Sequence, residues 1–161
     1  MQRSVAILFG LSAAICSAAL AIETPRIIPR SQRIDRPIEQ VFGTLKHYFN
    51  DSSLSGFRLN NADQKSWTLV ATRTDIDGAN WNNWAFCKAP VEEMLYQFED
   101  GTVTVTVQLQ KAGNQATFTT ISADFNGNYG LGSREAKIAC TSKGNLEQDL
   151  MAVAGGSKGN P

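Results

Sequence analysis

Cys87 and Cys140 constrain this chain more than any other feature. A bond between them closes a loop of 53 residues, and the chain-entropy account of such a cross-link gives about 4 kcal/mol of stabilisation. Whether they pair depends on the compartment, and the first residues address that. Arg3 supplies a positive charge, Val5 to Ile15 is an apolar run, and Ala19, Leu20 and Ala21 form an A-x-A arrangement. This is the order of a secretory signal peptide, expected over residues 1–21 with cleavage after Ala21. The apolar run is shorter than the ~20 residues that span a bilayer. Cys16 raises lipid anchoring as an alternative, but Ile15 stands where a lipoprotein signal has a small residue. The expected address is therefore exported, periplasmic or secreted, without a lipid anchor or transmembrane segment. Two cysteines then remain in an oxidising compartment, where thiols tend to pair; two free thiols are the alternative.

Composition narrows the partner. Of 161 residues, 15 are Lys or Arg and 15 are Asp or Glu. Losing Arg3 leaves the processed chain one negative charge from neutrality, and no basic run or face appears. That argues against a nucleic-acid backbone or an anionic membrane as partner. The single histidine, His47, has no ligand-spaced companion, so neither a metal nor any other cofactor is expected.

Residues 22–31 carry Pro25, Pro29, Arg26 and Arg30 without periodicity and read as an extended leader. The domain follows over 32–155, with a disordered tail at 156–161. Ile38, Val41, Phe42, Leu45 and Phe49 lie at helical spacing, with Pro37 in the first turn and Asp35 or Arg36 as cap. Phe57 to Leu59 and Trp67 to Ala71 read as a hairpin around Asn60, Asn61 and Asp63. Thr74 to Asn80 reads as a polar turn, and Trp84 to Cys87 as a short strand. Residues 91–98 suit two helical turns or a strand, and the phase does not choose.

The strongest strand is Val103 to Gln110, where valine and leucine alternate with threonine and glutamine. Asp100-Gly101 and Gly113-Asn114 read as its flanking turns. Ala116 to Phe125 is its hairpin partner, with a phase change near Thr119 and Thr120 that suggests a bulge. Asn126 to Ser133 reads as a Gly-Asn-rich loop leading to a strand that points Cys140 inward. Leu146, Leu150, Val153 and Ala154 form the stripe of a closing helix, capped by Asn145 with Gln148 and stopped by Gly155. Helix, antiparallel strands, then helix is the order of an α+β domain, with both helices on one sheet face.

The segment Ile34-Asp35-Arg36-Pro37-Ile38-Glu39-Gln40-Val41-Phe42, with Leu45 after it, resembles the opening of helix-grip domains. In that fold a strand runs into a helix, and a curved antiparallel sheet grips a C-terminal helix. START-like lipid carriers share the arrangement, as do the repeats of an outer-membrane-assembly lipoprotein in Gram-negative bacteria. The resemblance implies a curved antiparallel sheet with an N-terminal and a C-terminal helix on one face. Two departures bear on function. Lipid carriers lack such a disulfide, and the closing helix here is short, leaving less room to roof a cavity.

Constellations for chemistry are sparse. His47 lies off the apolar stripe with no nucleophile tied to it, so it reads as an exposed polar residue rather than a general base. Asp75, Asp77 and Asn80 offer oxygens around Gly78, but without the order of a calcium loop; a solvated turn is the simpler reading. Glu92 and Glu93, as neighbours, point apart on a helix or a strand. The candidate binding surface is Trp81, Asn82, Asn83 and Trp84, joined by Tyr129, because aromatics flanked by amides combine contact area with directed hydrogen bonds. The competing reading packs one or both indoles against the disulfide at Cys87. No catalytic set assembles, so the expectation is a non-enzymatic exported module that binds a protein or other envelope macromolecule, possible forms being an inhibitor or immunity protein. The alternative is a carrier of a small apolar ligand, which requires a cavity of several hundred Å³ between sheet and closing helix.

Overall fold

Two long strands form the spine. β5 (Gln97–Lys111) and β6 (Thr117–Leu131) are 15 residues each and pair antiparallel along their length. Val103, Val105, Val107 and Leu109 all point inward from β5, as their period of two dictates. The computed structural model describes residues 29–87, 97–131 and 134–157. The expected signal peptide, most of the leader, the ambiguous stretch up to residue 96 with Glu92 and Glu93, and the last four residues lie outside that range.

Around the spine the chain builds an α+β domain with a curved, open, antiparallel sheet. β2 (Arg58–Asp63) and β3 (Thr68–Ile76) extend it from β5. On the far side, β6 changes partner midway. β1 (Arg30–Ile34) pairs with Thr117 to Ile121, while β7 (Arg134–Ser142) pairs with Phe125 to Leu131. β1 and β7 thus lie end to end along one flank. The two-residue β4 (Ala85–Phe86) borders β7.

Helix α1 (Ile38–Asn50) buries every residue of its expected stripe, Ile38, Val41, Phe42, Leu45 and Phe49. Its cap is Pro37 itself, with no side-chain cap bond, rather than Asp35 or Arg36. A single turn, α2 (Ser52–Ser55), follows, with Asp51 accepting from the Ser53 amide. Helix α4 (Asn145–Ala154) packs against α1, β6 and β1. Its cap is Gly144, one residue before the expected Asn145. Arg36 donates to the Ala154 carbonyl at its other end at 3.1 Å.

Several expectations are corrected. Arg30 and Ser31, assigned to the leader, begin β1. Asp100 and Gly101 are not a turn but part of β5, and Asn126 to Leu131 are not loop but the end of β6. There is no phase change near Thr119: Thr117 and Thr119 are buried with Ile121, Ala123 and Phe125 on one continuous face. Two inward threonines had mimicked a shift of register. The irregularity falls instead on β5, between Phe98 and Asp100. Residues 74–80 are not simply a turn either. β3 runs to the buried Ile76, and α3 (Gly78–Trp84) starts straight after Asp77.

Candidate functional site

The expected Trp81–Trp84 surface is the interior of the fold at one end of the sheet. Asp77 opens α3 by accepting the Asn80 amide at 2.9 Å, so the acidic turn serves as a helix cap. Trp81 is 2% exposed. Its ring stacks on Phe98 with centroids 5.4 Å apart and meets Phe125 edge-on at 5.5 Å. It lies over Gly101 and Gly127, which face each other across β5 and β6. A β-carbon at Gly101 would sit 2.1 Å from the indole, so this patch of bare backbone is what admits the ring.

The disulfide expected from the sequence is present: Cys87 and Cys140 are bonded, with Cα atoms 4.4 Å apart. The Trp81 indole nitrogen donates to the Cys87 sulfur at 3.1 Å. Trp84 is also buried, and the Arg73 guanidinium lies 5.2 Å from its ring centre. Both indoles are therefore buried, Trp81 against the disulfide and Trp84 beside Arg73. Asn82 and Asn83 are exposed, but their backbone carbonyls serve the fold. The Asn82 carbonyl accepts from the Lys143 ammonium, and that of Asn83 from the Asn145 amide at 2.8 Å. Tyr129 is half-buried edge-on to Phe98, and burial raises its hydroxyl pKa above the ordinary value. These residues form a brace that ties α3, β4 and α4 around the disulfide.

A different place offers room for a partner. After β7 ends at Ser142, the chain turns through Gly144 and lays α4 across β1. Between them opens a cleft of about 650 Å³, lined by Pro29, Arg30, Ser31 and Gln32 on one wall and by Gln148 and Met151 on the other. The walls are polar and apolar in about equal measure. Beneath α4 the space is filled by Leu146, Leu150, Val153 and Ala154, all buried.

Two core side chains on the elements that flank this cleft are anomalous. Glu147 and Thr119 are fully buried, and neither the two carboxyl oxygens nor the hydroxyl has a hydrogen-bond partner among the described residues. Buried polar groups are otherwise almost always paired. Sequence reasoning missed both. The Glu147 signal was an acidic residue bordering the apolar stripe, while Thr119 was hidden in the apparent change of phase.

The groups considered for chemistry stay apart. His47 is exposed near the end of α1. Among the described residues no three of His, Cys, Asp and Glu gather as a metal site, and no helix is long and apolar enough to cross a membrane.

No known family matches the chain, and no curated protein matches it either. Among solved structures it is similar to a TBP-like protein from Parabacteroides distasonis, with 8% identity and a TM-score of 0.39. It is also similar to a DUF4468 family protein from Bacteroides ovatus, with 11% identity and a TM-score of 0.35. Each alignment covers 69% of this chain, and it spans 64% and 60% of those proteins respectively.

Proposed function

We propose that this chain is an exported, non-enzymatic binding module of helix-grip type that receives a segment of a partner protein between β1 and α4. The observation that carries this reading is the cleft of about 650 Å³ whose walls mix polar and apolar side chains. It adjoins β1, which pairs with β6 on one side and has no strand on its other side among the described residues. A strand edge with unpaired amides and carbonyls can accept an extended peptide, and a neighbouring cleft adds side-chain selectivity. The element order supports the helix-grip assignment: a strand runs into a helix, then come the sheet and a closing helix that packs on it. The disulfide suits an oxidising compartment.

The carrier reading draws less support from the same geometry. An apolar ligand needs mostly apolar walls, whereas Arg30, Ser31, Gln32 and Gln148 stand beside Pro29 and Met151 in this open cleft, and the space beneath α4 is filled by Leu146, Leu150, Val153 and Ala154.

A photo-crosslinking side chain at Gln148, on the cleft, and another at Gln110, exposed on β5, provide the test in cells of the native host. A discrete protein adduct from position 148 alone is expected. Adducts from neither position, or identical adducts from both, contradict the assignment.

A further inference from the structure

We infer that the β1–α4 cleft takes a lysine side chain of the bound segment, whose ammonium is held by Glu147 and Thr119; this rests on the partner-binding reading above. The argument starts from the burial of Glu147 and Thr119. Glu147 Oε1, Glu147 Oε2 and Thr119 Oγ1 are three buried acceptor atoms without a partner among the described residues. A carboxyl group buried without a partner opposes folding, so its presence on a helix packed into the core calls for a compensating group.

The position of both residues points to the cleft. Residues on a helix are spaced by about 100°, so around α4 the order runs from Gln148 through Met151 to Glu147 and then Ala154. Gln148 and Met151 line the cleft, which puts Glu147 one step deeper on the same wall. On the opposite wall Gln32 lines the cleft and is paired in register with Thr119 on β6, so Thr119 is one strand deeper. Helix α4 packs directly on β6. The two orphaned residues thus lie one position behind the lining residues of the two walls, on elements that pack on each other.

The chemistry of these atoms selects the occupant. An ammonium carries three donors and no acceptor, which matches three unpartnered acceptors in number and kind. A lysine stem is long, narrow and apolar, suited to pass the thioether of Met151, a side chain with several soft torsions that readily repacks. Arginine is a poorer match, since its planar fork needs more width.

The processed, isotopically labelled protein is titrated with Nα-acetyl-lysine N-methylamide and, separately, with the same compound acetylated on Nε. The free amine is expected to shift the resonances of Gln32, Gln148 and Met151 and to bind about tenfold more tightly than the acetylated probe, the scale of a charge-assisted hydrogen bond. Glu147→Gln should remove that preference. Gln148→Trp, at an exposed position, should block both probes without disturbing the core. Equal binding of the two probes, or an unchanged preference in Glu147→Gln, overturns the lysine assignment while an adduct from position 148 would leave partner binding standing. Cleft shifts that appear on concentrating the protein without any probe would also overturn it, with a second copy of the chain as occupant.

Discussion

The indole of Trp81 lies against the backbone of Gly101, where a β-carbon would come within 2.1 Å of the ring. The contact joins α3 to the central strands at one end of the sheet, and the indole nitrogen meets the disulfide sulfur of Cys87. Gly101 is itself buried in strand β5, so its missing side chain is a packing requirement rather than a turn signal.

Gly101→Ala should therefore destabilise the protein by about 3 kcal/mol, the upper end of the usual cost of overpacking a core. Gly127→Ala should cost less. Its β-carbon would first meet the ring edge of Tyr129 at 2.8 Å, with Trp81 farther off at 3.4 Å, and Tyr129 is only half-buried. Denaturant unfolding of the two variants gives the comparison; equal losses would show that Trp81 is free to move.

Loss of the Cys87–Cys140 bond should lower stability by about 4 kcal/mol for a closed loop of 53 residues. The paired variant Cys87→Ser with Cys140→Ser, unfolded beside the oxidised wild type, measures it. Because the Trp81 nitrogen faces this sulfur, reduction should also alter Trp81 emission before global unfolding.

Acid should weaken the fold through the aspartates that hold two helix caps and the β2–β3 turn. The Ser53 hydroxyl holds Asp51 below the ordinary carboxylate range, the Ser66 hydroxyl does the same for Asp63, and the Asn80 amide for Asp77. A carboxyl whose folded pKa lies below its unfolded one contributes stability above the unfolded value, and this is lost as pH falls through the folded value. Asp77→Asn keeps an acceptor and removes the titration, so its unfolding midpoint should fall less steeply with acid than that of the wild type.

Asp149 should behave in the opposite sense. Partial desolvation of this exposed side chain on α4 raises its pKa, so its charged form weakly opposes folding at neutral pH and the penalty disappears below the ordinary carboxylate range. Asp149→Asn is expected to raise the unfolding midpoint at neutral pH and to leave it unchanged in acid.

The sequence was readable wherever local pattern and tertiary packing agree. The stripe of α1, the alternation of Val103 to Leu109 and the stripe of α4 stand as their periodicity implies, and the two cysteines are paired. It misled where a distant contact overrode local preference. Asp100-Gly101 and the run from Asn126 carry turn chemistry, yet they are strand because β5 and β6 pair through them, and the glycines there leave bare backbone for Trp81. α3 is built from Gly-Ala-Asn-Trp-Asn-Asn-Trp, a poor helical sequence held by two buried indoles and the Asp77 cap. The candidate site was legible only in part. Trp81 and Trp84 stood out as aromatics, but whether they face solvent depends on strands far along the chain. Glu147 and Thr119 carry only an indirect local signal, since burial without a partner is a property of the assembled core.

The unfolding midpoint of Glu147→Leu tests the central claim, that the fold carries an unsatisfied carboxyl group for the sake of a partner. Leucine fills the position and removes the orphaned oxygens, so the free variant should be more stable than wild type by about 1–3 kcal/mol. A variant less stable by a similar amount would mean that Glu147 is satisfied within the native fold, and the account would be contradicted.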